Sequence, residues 1–186
     1  IALIQNKALE LSMFLSIPAS VALVIGSEQI ISALFGYGSF TEKSVFNSSN
    51  ALYYFGLGLP AFALIKVFST FFFANHDTKT PFYISLVSVL LNILISVYFF
   101  KDIGFIIIPI ATTISSWFNS LLLFIYLKNS NLFEFNKTFF RQFVKIIFTS
   151  IMTGFFFKYL ILFFQNELSY DYFLKSIYLL LCVLLT

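Results

Sequence analysis

The stretch that decides the fold is residues 51–92, ALYYFGLGLPAFALIKVFSTFFFANHDTKTPFYISLVSVLLN. It consists of two long apolar runs that flank one short polar turn. A helix rises about 1.5 Å per residue, so about 20 apolar residues cross the hydrocarbon core of a bilayer. Each run is long enough to do so. The stretch therefore predicts two transmembrane helices joined by a tight turn.

The composition extends this prediction to the whole chain of 186 residues, which is 60% apolar and only 10% charged. Soluble domains carry about 25% charged residues, so most of this surface must face lipid. The net charge of +3 is dispersed, which excludes a basic surface for nucleic acid. The single cysteine, Cys182, excludes an internal disulfide, and we expect it to be a small apolar helix residue.

Short polar linkers separate six apolar segments, which predict an all-α, polytopic bundle of about six transmembrane helices. The segments are 11–35, 49–74, 81–100, 103–127, 139–164 and one that starts near Asp171. Residues 1–130 would form four transmembrane helices, and residues 131–186 would add two more, the last truncated. The chain starts without a methionine and ends inside an apolar run, so we expect a fragment of a longer protein.

Basic residues in the linkers predict the orientation, because cytoplasmic loops of membrane proteins carry an excess of lysine and arginine. With the N-terminal end in the cytoplasm, that side receives Lys7, Lys79, Lys128, Lys137, Arg141 and Lys145. The opposite loops receive only Lys43 and Lys101. Lys158 and Lys175 lie within helices near the outer side, and we expect their long side chains to reach the membrane interface.

Groups that could support catalysis are sparse. His76 is the only histidine, and it lies in the polar turn beside Asp77. Metal ligation needs more ligands than this pair offers, and no Ser/His/Asp set can be assembled at membrane depth. We therefore predict neither an enzyme nor a metal site.

Lys66 lies inside an apolar segment, where a charge is costly and needs a partner or water. One interpretation is that Lys66 faces a hydrated cavity and binds an anionic group such as a diphosphate. The other is that its long side chain reaches the interface or pairs with a carbonyl at a helix end.

Polar residues inside the third and fourth segments form a second candidate site. Asn92 and Ser96 are four residues apart and share a helix face, and Thr112 lies among further polar residues of the fourth segment. Oxygen ligands of this kind suit a hard cation such as sodium. The alternative is hydrogen bonding between helices by small polar residues, which is common in membrane bundles.

Several motifs resemble the MurJ/MviN family of lipid II flippases. They are IPA at 17–19, LFGYGSFT at 34–41, ALYYFGLGLP at 51–60 and IKV at 65–67. The most specific is FANHDTKTP at 73–81, where Asp77, Lys79, Thr80 and Pro81 match the family's turn. The resemblance covers about residues 10–130, and beyond that only hydropathy and length agree.

The resemblance implies a fold and a function. The family has fourteen transmembrane helices in two lobes of the multidrug/oligosaccharidyl-lipid/polysaccharide exporter fold, and this chain would supply helices nine to fourteen. The family moves lipid II, a peptidoglycan precursor, across the bacterial inner membrane by alternating access, and so serves cell wall biogenesis and cell shape. The implied partners are lipid II, membrane lipids and cell-wall synthesis proteins. The alternatives are another polysaccharide-lipid or drug exporter of the superfamily, and a membrane scaffold subunit that does not transport.

The resemblance also bears on the candidate residues. Lys66 matches a lysine often seen in the family. Some members bind sodium between the helices that match segments three and four, where Asn92 and Thr112 fall at matching positions. The family's acidic residue one turn after Asn92 is Ser96 here, so the site lacks a charge. The implied driving force is a sodium ion or the membrane potential, with no other cofactor.

Overall fold

The computed structural model describes residues 2–130, 133, 137–169 and 174–186. Within these residues the chain forms six α-helices and one 3-10 turn at Gly104–Ile106, and it forms no β-strand. The helices are α1 (Ala2–Phe35), α2 (Glu42–Ala74), α3 (Lys79–Ile103), α4 (Ile107–Asn129), α5 (Lys137–Phe163) and α6 (Lys175–Leu185). The predicted all-α bundle is confirmed, although the predicted start of the last helix near Asp171 lies outside the described residues.

Among the described residues, four helical stretches are long and apolar enough to cross a membrane. They are Leu3–Phe35, Glu42–Ala74, Lys79–Asn129 and Phe139–Phe163. The third stretch holds 51 residues because it joins α3 and α4, which pack against each other after the 3-10 turn. Gly104 opens that turn with a φ of 75°, a conformation that glycine adopts without strain. Large apolar side chains cover much of the outer surface, as expected of helices that face lipid.

The first two helices begin earlier than the apolar segments that predicted them. α2 begins at Glu42 rather than at residue 49, because Thr41 caps it by accepting a 3.3 Å hydrogen bond from the Ser44 N–H. Glu42 also complements the helix dipole in the first turn. The predicted linker 36–48 therefore shrinks to residues 36–41. Hydropathy misses such polar turns because they need not lie in the hydrocarbon core.

The helices pack in a series with α1 and α2 at its centre. α2 contacts α1 and α4, α3 contacts α4, and α5 and α6 contact α1. One apolar cluster surrounds Phe68, Phe71 and Phe72 near the α2–α3 turn. A second cluster joins α1, α5 and α6, and Cys182 of α6 is fully buried in it. The remaining apolar surface is left to lipid.

Pro60 interrupts the backbone hydrogen bonds of α2, and a serine of α1 replaces the missing one. A proline has no N–H to donate to the carbonyl four residues earlier, which here belongs to Gly56. The Ser20 Oγ donates to that carbonyl at 2.7 Å. The absence of a side chain at Gly56 allows this approach, since a Cβ there would lie 3.1 Å from the Leu23 Cβ.

Side chains of α4 contact the same stretch of α2 from the other side. The Thr113 Oγ1 donates to the Tyr54 carbonyl at 2.7 Å, and the Trp117 Nε1 donates to the Leu57 carbonyl at 3.1 Å. Gly58 makes room for this contact, because a Cβ there would lie 2.9 Å from the Thr113 Oγ1. Polar side chains of two helices thus hold α2 around its proline.

The turn between α2 and α3 begins with a complete C-terminal cap. The Asp77 N–H donates to the Phe72 carbonyl at 3.0 Å, and the His76 N–H donates to the Phe73 carbonyl at 3.0 Å. This pair of bonds defines a Schellman motif, with Asn75 as the capping residue. The next residue usually is glycine, because it adopts a positive φ, yet His76 occupies this position with a φ of 59°.

The same turn begins α3 through the side chain of Asp77. Its Oδ1 accepts hydrogen bonds from the N–H groups of Lys79, at 3.1 Å, and Thr80, at 3.0 Å. These bonds satisfy donors that the first turn of a helix leaves free. Pro81 is buried in that turn, where its missing N–H is not needed. Hydrogen bonds from Thr80 lower the pKa of Asp77 below its ordinary value of 3.8.

Lys175 fastens the start of α6 to the end of α1. Its side chain is 1% exposed, and the Nζ donates to the Gly36 carbonyl at 2.7 Å and lies 4.5 Å from the centre of the Tyr37 ring. The Ser176 Oγ donates to the Ala33 carbonyl at 2.6 Å. A cation at a helix C-terminus complements the helix dipole. Lys175 is therefore buried against a helix end, whereas we expected its side chain to extend into the water at the membrane interface.

Replacing Ser20 with alanine should destabilise the fold, because the Gly56 carbonyl would lose its substitute donor. We expect a loss of about 1 kcal/mol in the free energy of unfolding, measured as a lower thermal midpoint of the full-length protein in detergent. Ser16→Ala is the matched control. The Ser16 Oγ lies one turn earlier and is buried without a hydrogen-bond partner, so its removal should be neutral. Equal losses in both variants would contradict this role of Ser20.

Replacing Asp77 with alanine should cost about 1 kcal/mol, because α3 would lose its cap. The lowered pKa of Asp77 predicts a pH dependence. The contribution of Asp77 to stability is fully present above its ordinary, unfolded pKa of 3.8 and is lost as the pH falls through the lower folded pKa. Thermal midpoints of wild type and Asp77→Ala should therefore differ at pH 7 and converge in acid. Asp102→Ala, at the exposed end of α3, should show no such difference; a difference that persists in acid would refute the proposed cap.

Candidate functional site

A polar pocket of about 320 Å³ lies between α3 and α4. The described residues that line it are Ser85, Ser88, Val89, Asn92, Thr112, Ser115, Ser116 and Asn119. In both helices these positions recur every three or four residues, so each set lies on one helix face. The pocket is therefore a place where two polar faces meet inside an otherwise apolar bundle.

Asn92 is the centre of the contacts across this pocket. Its Nδ2 donates to the Thr112 Oγ1 at 3.1 Å and to the Ser115 Oγ at 3.2 Å. The Thr112 Oγ1 in turn donates to the Ile108 carbonyl at 2.8 Å. The Ser116 Oγ donates to the Thr112 carbonyl at 2.6 Å. Of the two interpretations of these polar residues, a cation site or hydrogen bonding between helices, the structure contains the hydrogen bonds.

Of the three residues predicted to hold a cation, the structure brings only two together. Asn92 and Thr112 are in direct contact, whereas Ser96 is not among the residues that line the pocket. The Ser96 Oγ is buried and has no hydrogen-bond partner. Sequence analysis did not single out Ser85 and Ser88, although their spacing to Asn92 was the signal that could have found them.

The pocket offers only neutral oxygens to a cation. Asn119 supplies one that is unused, since its Oδ1 is buried without a hydrogen-bond partner. The hydroxyl oxygens of Thr112 and Ser115 also belong to lining residues, but both accept from the Asn92 amide. No aspartate or glutamate is among the lining residues that the structure describes, and no group of three or more His, Cys, Asp or Glu occurs in that part of the chain. Hydroxyl and amide oxygens are ligands that sodium accepts, but here they supply no negative charge.

Lys66 lies on a different face of the bundle. Its side chain is exposed, as are those of Thr70 and Phe73 on the same face of α2, whereas Phe68 and Phe72 pack inward. The Lys66 ammonium makes no ion pair within the described residues. The Thr70 Oγ1 donates to the Lys66 carbonyl at 2.9 Å. The structure therefore does not bring Lys66 together with the α3–α4 pocket.

An apolar cavity of about 640 Å³ lies between α1, α2, α4 and α5. Met13 of α1, Pro60 of α2, Phe124 of α4 and Ile147 of α5 are among the residues that line it. Its volume and composition suit a hydrocarbon chain rather than a polar ligand.

Comparison with known protein families and curated relatives supports the resemblance seen in the motifs. The family model described as Lipid II flippase MurJ matches residues 1–179. The chain is 40% identical over 121 residues to a probable lipid II flippase MurJ of Rhizobium meliloti, covering 65% of this chain and 23% of that protein. It is 37% identical over 123 residues to a probable lipid II flippase MurJ of Rickettsia prowazekii, covering 66% and 24%.

A solved structure provides an independent comparison of the fold. Lipid II flippase MurJ in an inward closed conformation matches with a TM-score of 0.75 and 28% identity, over 97% of this chain and 36% of that chain. This chain spans about a quarter of the length of the curated relatives it matches. Its apolar helices and these relatives make it part of a multi-pass membrane protein. Because the family model matches nearly every residue, the chain belongs to the lipid II flippase MurJ family.

Proposed function

We propose that the full-length protein containing this chain moves lipid II from the inner to the outer leaflet by alternating access. The observation that carries the proposal is the match of residues 1–179 to the lipid II flippase family model. Lipid II combines a polar, diphosphate-linked head with a hydrocarbon tail. The head needs a hydrated cationic path through a hydrocarbon core about 30 Å thick, and the tail needs an apolar surface. The role is transport rather than enzymatic catalysis.

The proposed location is the bacterial inner membrane, with the N-terminal end of this chain in the cytoplasm. The support is the excess of basic residues on one side of the bundle: six lie there, against two in the opposite loops and the two helix residues Lys158 and Lys175 near those loops. In this orientation the Asp77 turn is cytoplasmic, and the junction between Lys175 and the end of α1 lies on the outer side. Lipid II, membrane lipids and cell-wall synthesis proteins are the proposed partners.

Lys66 is proposed to attract the diphosphate of the substrate. Its support is the exposed Lys66 side chain, which makes no ion pair among the described residues. An ammonium inside a membrane protein needs water or an anion, and a transport cavity would supply both. Lys66 would then act in the full-length protein on a path that this chain only partly encloses.

Lys66→Ala in the full-length protein should reduce the rate of lipid II flipping about tenfold. One charge-assisted contact contributes about 1.5 kcal/mol, which corresponds to roughly that factor. The measurement is a leaflet-translocation assay in vesicles. Lys66→Arg should retain most activity because it keeps the charge. Lys158→Ala, which removes an exposed lysine of α5, is the matched control and should flip normally. Full activity of Lys66→Ala would remove Lys66 from the mechanism.

The membrane potential is proposed as the larger driving force, with sodium binding weakly in the α3–α4 pocket. The support is that the pocket's described residues offer neutral oxygens but no carboxylate. An anionic head that moves outward is favoured by an inside-negative potential, by about 2.3 kcal/mol per charge per 100 mV. In the pocket, Asn92, Thr112 and Asn119 would hold the ion.

Ser88→Asp should create strong sodium dependence, because Ser88 lines the pocket one turn before Asn92 and the variant adds a carboxylate there. Sodium, compared with potassium at equal ionic strength, should raise the thermal midpoint of this variant by several degrees and that of the wild type much less. Adding Asn92→Ala to Ser88→Asp should abolish the shift. A wild-type protein that sodium stabilises as strongly as the variant would refute the assignment of weak binding.

A further inference from the structure

A second polar cavity, of about 560 Å³, lies where α1, the start of α2 and the end of α5 meet. Glu28 and Glu42 contribute carboxylates to it, and Gln29 and Gln165 contribute amides. None of these residues belongs to the α3–α4 pocket or to the face that carries Lys66. Neither the family comparison nor the proposed transport mechanism assigns a role to this cavity.

The cavity is rich in acceptors and lacks a described cation. Glu28 and Glu42 make no hydrogen bond or ion pair within the described part of the chain. Among the described lining residues there is no lysine or arginine. The nearby basic residues Lys43 and Lys175 do not line the cavity, and the Lys175 Nζ is engaged by the Gly36 carbonyl. Two unpaired carboxylates in one concave site favour a positively charged ligand.

Ser32 gives an independent indication of a ligand. It lines the same cavity and is only 6% exposed, and its Oγ is buried with no hydrogen-bond partner. Other buried serines of this chain use the carbonyl four residues earlier, as Ser88 does with Ile84 and Ser150 with Ile146. Buried polar groups in proteins are nearly always satisfied, so an orphaned hydroxyl beside two carboxylates points to a missing partner.

Size and depth narrow the identity of the ligand. A bare metal ion needs ligands converging within about 2.6 Å, whereas this cavity has the volume of an organic ligand site. The remaining walls include the buried apolar residues Val45, Ile161 and Leu168. The membrane-spanning stretches end at Phe35 and Phe163, and α2 begins at Glu42. The cavity therefore lies at the level where lipid headgroups meet the helix ends.

We propose that this cavity binds the primary ammonium headgroup of a membrane phospholipid of the phosphatidylethanolamine type. A primary ammonium has three N–H groups. The carboxylates of Glu28 and Glu42 and the hydroxyl of Ser32 would accept hydrogen bonds from them. A choline headgroup has the same charge and no N–H donor, so it would bind less well. The apolar walls would contact the start of the acyl chains. This inference does not depend on the transported substrate.

The test is a lipid titration of the full-length protein in detergent, read by native mass spectrometry. Phosphatidylethanolamine should be retained at least tenfold better than phosphatidylcholine with the same acyl chains. The double variant Glu28→Gln, Glu42→Gln should lower retention of phosphatidylethanolamine to the phosphatidylcholine level. Glu10→Gln is the matched control, because Glu10 lies near the other end of α1 and does not line the cavity. Ser32→Leu should also block retention by filling the cavity.

Three results would overturn the proposal. The first is equal retention of the two lipids by the wild-type protein. The second is undiminished retention of phosphatidylethanolamine by both the double glutamine variant and Ser32→Leu. The third is competition by soluble glycerophosphoethanolamine at the same concentration as the lipid, which would assign the site to a free amine rather than a membrane lipid. Glutamine preserves the size of the exposed Glu28 and Glu42, so the double variant should keep its fold; its thermal midpoint checks this.

Discussion

The bundle depends on one constraint: inside a hydrocarbon core, every backbone polar group must find its partner within the protein. Pro60 violates this constraint in α2 by removing the N–H that the Gly56 carbonyl would use. The Ser20 hydroxyl of α1 repairs the loss at 2.7 Å. Because this donor belongs to a neighbouring helix, the hydrogen bonding of α2 is complete only when α1 packs against it. α1 and α2 must stay in register for this hydrogen bond to form.

The same constraint determines how the remaining helices attach. α4 donates to backbone carbonyls of α2 through Thr113 and Trp117, and α3 attaches to α4 through Asn92. On the other side, Lys175 satisfies a carbonyl at the end of α1 and brings α6 with it. Polar side chains thus connect neighbouring helices at several points, while apolar packing fills the space between them. Such bonds specify position more than they add stability in a membrane.

This arrangement leaves unequal surfaces for function. The side chain of Lys66 is exposed on one face of α2. In the α3–α4 pocket, by contrast, the polar groups mainly join two helices. None of the described residues that line that pocket is charged, so the pocket resembles a structural junction more than a dedicated ion site. The Glu28–Glu42 cavity, in contrast, has acceptors that no described side chain uses. The functional potential of the chain lies where polar groups remain unsatisfied.

Hydropathy by itself determined the number of helices, their order and their membrane setting, because about 20 apolar residues in sequence suffice to cross a bilayer. The motif around Asp77 was sufficient to suggest the family. Only the tertiary structure decided that Ser20 is the replacement, that Lys175 binds the end of α1, and that Ser96 stays outside the pocket. Hydropathy is a sum over neighbours in sequence, whereas these contacts depend on which faces of distant helices meet.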